Sequence, residues 1–192
     1  MSGREYPLNT LGLSHRFLAG HIREGMFCID ATAGRGKDTA FLCSLVGESG
    51  RVLAFDIQPE AVESTRALLM EKGFSARARV LLDSHEHMEK YAQAGRVDAV
   101  VFNFGYLPGG DHSIYTRPPS SIAAIEAGLR LLRPGGVMSL CIYHGGDTGY
   151  EERDALLQYL RTIDSREYTV LLAPFYNRPG DPPIPVFILK ET

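Results

Sequence analysis

The chain is poor in cysteine, in long apolar runs and in excess charge. Its 192 residues include three cysteines, Cys28, Cys43 and Cys141. Each lies inside an apolar run, and none forms a C-x-x-C pair. That argues against a disulfide-stapled fold or a thiolate metal centre and reads as buried thiols in a reducing cytoplasm. No apolar run reaches the roughly 18–20 residues of a membrane span. The first residues, Met1 to Pro7, lack the apolar core of a secretory signal, so a cytoplasmic protein is expected. A net charge of −3 argues against a chain that coats nucleic acid non-specifically, while leaving room for a local basic patch. No G-x-S-x-G elbow occurs, and no lysine–serine pair follows the glycines as in a P-loop. His85-Glu86-His87 is compact, but residues i and i+2 of a helix face different ways, so no metal site is expected. Repeats, low-complexity tracts and interdomain linkers are also missing.

What is present is an ordinary globular composition, 44% hydrophobic, in a length that suits one domain over residues 1–192 with a full core. The chain is organised around Phe27-Cys28-Ile29-Asp30-Ala31-Thr32-Ala33-Gly34-Arg35-Gly36-Lys37-Asp38-Thr39. An apolar strand (Met26 to Ile29) ends in an acid, passes through two glycines and enters an amphipathic helix, Asp38 to Val46. Strand, glycine turn, helix is the first crossover of a nucleotide-type α/β sheet, with ligand held where the strand ends. The glycines keep the turn tight and let backbone approach a ligand with no Cβ in the way.

Before this crossover, Asn9 or Thr10 caps a helix to about Ile22, with Leu11, Phe17, Leu18 and Ile22 inward. His15 and His21 on it read as surface or capping histidines, with a substrate contact as the alternative. Asp38 suits a helix N-cap or first turn, and Gly47 its stop. Arg51–Asp56 is a second strand, and Pro59 to Lys72 a helix closed by Gly73. A third strand runs from Arg77 to Asp83, followed by a short helix from about His85 to Gln93. Val97–Asn103 is a fourth strand, nearly all apolar as a strand covered on both faces should be. It opens into a Gly/Pro-rich loop, Phe104 to Asp111. A helix from Pro118 to Leu132 ends at Arg133-Pro134-Gly135-Gly136, and Val137–Tyr143 is a fifth strand. After a glycine loop from His144 to Gly149 comes a helix from Glu151 to Ile163. Two closing strands, Tyr168–Leu172 and Val186–Leu189, are joined by a link too short for a helix and are expected antiparallel.

Alternating strands and helices closed by an antiparallel hairpin give an α/β fold, a doubly wound, mostly parallel Rossmann-like sheet on the class I methyltransferase plan. A dinucleotide dehydrogenase would repeat a second parallel half. Three segments then carry a resemblance: Asp30 to Thr39, the run Asn103-Phe104-Gly105-Tyr106-Leu107-Pro108-Gly109-Gly110-Asp111, and Tyr143-His144-Gly145. Together they resemble a bacterial family of rRNA-methylase type, over nearly the whole chain. The resemblance implies an S-adenosyl-L-methionine-dependent tRNA methyltransferase that converts wobble 5-aminomethyl-2-thiouridine to its methylaminomethyl form. It implies the tRNA anticodon loop as partner, no membrane, and room for a homodimer. In one departure, Gly146 stands where the family often has a second histidine, so any such role is missing or moved to His144.

The residues give their own reading of the site. A ribose diol wants a carboxylate acceptor, and Asp56 follows Asp30 at close to the spacing that supplies one; Gln58 belongs to the same turn. Asp83 with Ser84 would flank the adenine, or Asp83 would cap the next helix. Asp30, with Ala31, Thr32 and Gly34, lies nearest the methionine part and would take its ammonium, or would hold the turn's own N–H groups. Gly36, Asp38 and Thr39 complete the cofactor set. Arg35 and Lys37 beside the turn read as RNA-phosphate contacts or plain surface charge. Methyl transfer asks mainly for alignment of nucleophile, methyl and sulfur, and a primary amine must attack as its free base. Asn103 ends the fourth strand, where its carbonyl would accept from the amine; it is also counted among the cofactor contacts. Tyr106 and His144 are the other catalytic candidates, His144 as a proton acceptor. Phe104 and Tyr106 would stack on a splayed base. Asp111, His112, Tyr115 and Arg117 would form the rim, with Arg117 and Arg178 near phosphate. The competing readings are an NAD-dependent oxidoreductase, a non-catalytic RNA binder, and a methyltransferase for rRNA or a small amine.

Overall fold

The computed structural model describes residues 6–105, 118–143 and 149–191. In chain order the elements are α1 (Thr10–His21), β1 (Phe27–Asp30), α2 (Lys37–Val46), β2 (Arg51–Asp56), α3 (Pro59–Glu71) and β3 (Ala78–Leu82). A 3-10 turn (His85–Lys90) leads to β4 (Val97–Phe104), α4 (Pro118–Leu131), β5 (Leu132–Ile142), α5 (Gly149–Leu160), β6 (Tyr168–Leu172) and β7 (Ile184–Lys190). The seven strands form one sheet in the order β3-β2-β1-β4-β5-β7-β6. β1 to β5 pair in parallel, while β7 is antiparallel to both β5 and β6. The expected mostly parallel sheet with a closing antiparallel hairpin is what the chain builds.

Each face of the sheet buries its own cluster. Leu18, Leu42, Val46, Val62 and Leu69 of α1–α3 pack on Cys28, Val52, Ala54 and Val101. On the other face Ile125, Leu129, Leu156 and Leu160 of α4 and α5 pack on Ile29, Phe55, Phe102, Phe104 and Leu140. Successive strand residues point to opposite faces, which is why Cys28 and Ile29 enter different clusters and β1 is buried throughout. The three cysteines are free and buried. Burial pushes the thiols of Cys43 and Cys141 up to about 12.

Several boundaries differ from the sequence reading. β5 begins at Leu132 rather than Val137, because Leu132 already pairs with Val97. A register shift then passes over residues 133–136 before Val137 pairs with Ala99. Glycine and proline there make an irregularity inside a strand, as bulges do, rather than a gap between helix and strand. The short helix after β3 is a 3-10 turn, and α5 stops at Leu160, short of Ile163. In α1 the cap is Asn9, whose side chain accepts from the Gly12 N–H. Leu11 and Phe17 are only half-buried, while Leu18 is buried as expected, together with the small residues Thr10, Gly12 and Ser14. The Ser14 and Ser139 hydroxyls share a buried 2.7 Å hydrogen bond between α1 and β5.

Candidate functional site

The site lies where the parallel order reverses. β1 pairs with β2 on one side and β4 on the other, so the helices leaving those strands part and a crevice opens at their carboxyl ends. Asp30 is opposite Ala54 of β2 and Val101 of β4. Asp56 and Asn103 each stand two residues beyond those partners, so they flank the end of β1 on one sheet edge.

The glycine turn fills the space between them. Gly36, the residue before α2, takes φ 78°, and a Cβ there would come within 2.9 Å of Thr65 Cα. Its missing side chain therefore makes room for α3, whereas the sequence reading assigned that room to a ligand. Thr65 Oγ1 donates to the Gly34 carbonyl at 3.1 Å, tying the turn to that helix. Asp56 holds the turn from β2. Its Oδ2 accepts from Gly34 N–H at 2.8 Å and its Oδ1 from Gln58 N–H at 2.9 Å. Each carboxylate oxygen keeps a further lone pair, and the side chain is half-buried, an acceptor set that fits a ribose diol. Gln58 joins this arrangement through its backbone. Ile57 beside it is 56% exposed, an apolar surface suited to the flat face of a nucleobase. Sequence reasoning passed over it; its one signal is an isoleucine in a turn.

Two cofactor expectations need correction. Asp30 and Thr39 are both fully buried. Thr39 Oγ1 donates to Asp30 Oδ2 at 2.6 Å, and Thr32 N–H donates to Oδ1 at 3.2 Å. Asp30 thus holds the turn, the second of the two readings its position allowed, and offers no surface to an ammonium. Burial, then the nearby Asp38 charge, pushes its carboxyl up to about 7. Ala31 is buried and its N–H bonds Val101 O at 2.9 Å. Asp83 is likewise committed locally: Oδ1 accepts from Ser84 N–H and His87 Nδ1, and Oδ2 from the Tyr91 hydroxyl. These donors, His87 first, hold its carboxyl well below the usual carboxylate range. Ser84 caps the 3-10 turn, accepting from Glu86 N–H.

On the β4 side the contacts run far along the chain. The Asn103 N–H donates to Thr32 Oγ1 at 2.7 Å, and its Nδ2 donates to Asp38 Oδ2 at 2.6 Å. Asp38 is 8% exposed in the first turn of α2, and its Oδ1 lies 2.6 Å from His15 Nε2. The His15 ring stacks on Phe41, centroids 3.9 Å apart. Its place beside Asp38 was missed in the sequence, because nothing local in α1 announces it. Asn103 Oδ1 is buried and has no hydrogen-bond partner among the described residues. Leaving such an acceptor unmade costs about 1–3 kcal/mol, so its retention here points to a donor that arrives with a ligand.

Phe104 overturns its expectation as a base-stacking surface. It is fully buried, stacked on Phe102 with centroids 5.0 Å apart, and part of the core. Gly105 follows at φ 145°, a conformation side chains resist. Arg178 is exposed, its guanidinium 4.1 Å from the Phe175 ring centroid. Its loop leads into Ile184, the partner of Ile142 at the end of β5, on the same sheet edge as Asn103. Tyr106, Asp111, His112, Tyr115, Arg117 and His144 lie outside the described residues. Of the histidine pair doubted as ligands, His85 sits edge-on to Phe102 and Phe104 while His87 turns to Asp83. Among the described residues no group of three or more acids, histidines or cysteines is arranged to hold a metal.

Comparison with known proteins agrees with this geometry. The family model described as "Putative rRNA methylase" matches residues 52–189. A crystal structure bearing the same description, from Clostridium thermocellum, is 44% identical with a TM-score of 0.93, over 97% of this chain and 100% of that one. A Streptococcus mutans methyltransferase solved in complex with SAH is 34% identical, TM-score 0.86, over 96% and 99% of the two chains. A chloroplastic tRNA (mnm(5)s(2)U34)-methyltransferase of Arabidopsis thaliana is 36% identical over 88% of this chain, which spans 65% of that relative's length. The chain belongs to the rRNA methylase family, with the class I methyltransferase fold and S-adenosylmethionine as the cofactor that fold and kinship assign to its crevice.

Proposed function

We propose that this single domain is an RNA methyltransferase that N-methylates the aminomethyl group of wobble 5-aminomethyl-2-thiouridine in the anticodon loop of tRNA, in the cytoplasm. The observation that carries the reading is the unpartnered Asn103 Oδ1 at the carboxyl end of β4. A primary amine in its free-base form has two N–H bonds and one lone pair. Giving one N–H to a fixed acceptor restricts where the lone pair points, which is the alignment an in-line displacement needs. A carbon nucleophile has no such hydrogen to give. The name of the Arabidopsis relative supports the choice of amine.

S-adenosylmethionine supplies a methyl group already activated by its sulfonium. Asp56 would hold its ribose, Ile57 would lie against the base, and the backbone of Ala31 to Gly36 would line the remainder. The turn is fixed before ligand arrives, by Asp30 and Thr39 within, Asp56 from β2 and Thr65 from α3. Rigid positioning of this kind is what the reaction asks of the protein. Arg178 supports RNA contact at the edge of the crevice, and a homodimer is compatible with the exposed strand β6.

The test is to incubate the protein and labelled S-adenosylmethionine with total RNA from cells that lack it, then identify the labelled nucleoside. Methylaminomethyl-thiouridine from tRNA is expected. Label confined to rRNA or to a small amine would overturn the assignment.

A further inference from the structure

Three side chains from three elements form a continuous chain at the crevice: His15 of α1, Asp38 of α2 and Asn103 of β4. Both links measure 2.6 Å, and each uses a different oxygen of Asp38. We propose that His15 is a positioning residue for methyl transfer, acting through Asp38 to fix which end of the Asn103 amide faces the nucleophile. The proposal rests on the reading that Asn103 Oδ1 receives the incoming N–H.

The logic is one of donors and acceptors. A carboxylate only accepts, so both groups that touch Asp38 must donate. Asn103 therefore turns its NH2 to Asp38, and its Oδ1 is left as the free end. Were the amide reversed, Asp38 would meet a carbonyl oxygen and the crevice would present a donor, which would tie up the amine lone pair needed for attack. Asp38 needs a fixed place to enforce this. The His15 link supplies the second anchor, and the ring is itself held, flat against Phe41 and with Tyr6 edge-on at 6.3 Å. α1 is locked one residue earlier by the Ser14–Ser139 bond and at its start by Thr10 Oγ1 to the Pro183 carbonyl, 2.6 Å. Asp30, the acid next to Asp38, is the one whose carboxyl is pushed up, by burial first.

A purely structural His15, docking α1 onto α2 by stacking, makes the opposite prediction for two substitutions. His15→Phe keeps the ring on Phe41 and removes the donor. His15→Gln removes the ring and keeps a donor at the reach of Nε2. Single-turnover methyl incorporation into total RNA from cells lacking the protein is followed together with thermal stability and the affinity for SAH. Positioning predicts that His15→Phe slows transfer by about 10- to 100-fold, the scale of a misaligned reacting group. Its melting temperature and SAH affinity should stay at the parental values, and His15→Gln should recover most of the rate. The side-chain amide resonance of Asn103, identified by its loss in Asn103→Ala, should move in His15→Phe and return in His15→Gln. Asp38→Asn adds a second arm: its amide can donate to Asn103 Oδ1, capture the free end and suppress transfer, measured at saturating S-adenosylmethionine, at least as strongly as His15→Phe. A parental rate in His15→Phe, or a loss in His15→Gln accompanied by a lower melting temperature, would overturn the proposal. Total methyl incorporation is the readout, so these ratios stand whichever nucleoside carries the label, and the substrate assignment fails or holds on nucleoside identity alone.

Discussion

The two sides of the crevice are built in different ways. On the β2 side, Asp56 is bound to Gly34, 22 residues before it, and to Gln58 just after it, so acid and turns come from two consecutive strand ends. On the β4 side, Asn103 reaches Thr32 and Asp38, and Asp38 reaches back to His15. The first arrangement is a motif; the second exists only once α1, α2 and β4 have been packed together. On the function proposed above, the side that would grip the cofactor joins neighbouring strand ends, and the side that would receive the nucleophile is assembled from distant residues.

Substitutions at four positions break or sharpen this contrast, in decreasing order of expected effect. Phe104→Ala should lower stability by about 3–5 kcal/mol, the cost of emptying a packed aromatic site, as read by chemical denaturation. A surface aromatic stacking on RNA would instead raise KM and leave stability alone. Asp56→Ala removes the acceptor for two backbone N–H groups as well as the ribose partner. It should weaken SAH binding at least tenfold by calorimetry and cost about 1–3 kcal/mol of stability. Asp56→Asn, which keeps an acceptor oxygen, should lose less of both.

Asp30→Asn tests the buried acid through pH. The Asp30 carboxyl is raised in the folded protein, chiefly by burial, so the folded state binds its proton more tightly than the unfolded chain does. Its stability contribution is whole below about pH 4, where an unfolded aspartate titrates. That contribution is lost as pH rises through about 7, the folded value. The melting temperature of the parent should therefore fall relative to Asp30→Asn across that window; a constant difference would contradict the assignment. Last, Arg178→Ala should leave SAH binding untouched and reduce the salt dependence of tRNA binding by about one phosphate contact.

Strand order, the parallel core and the closing hairpin were legible because periodicity and glycine punctuation are local signals. So was the pair Asp56 and Asn103, each at a strand end beside β1. Asp30 and Thr39 misled because strand-end acids serve ligands or turns alike, and only burial separates the two. Phe104 misled because an aromatic at a strand end reads the same whether it faces crevice or core. The Asp38 partner of His15 was invisible, since it is made by the docking of α1 against α2. The bulge in β5 was hidden for a similar reason: Leu132 belongs to the sheet by virtue of Val97, which no window around Leu132 contains.

The central claim is that Asn103 offers the nucleophile its acceptor. The most direct measurement is single-turnover methyl transfer by Asn103→Ala, with SAH affinity taken on the same preparation. The account predicts a rate at least about 100-fold below the parent, as for loss of an aligned polar contact, with SAH bound as before. A parental rate, or a rate loss explained entirely by failure to bind SAH, would contradict it.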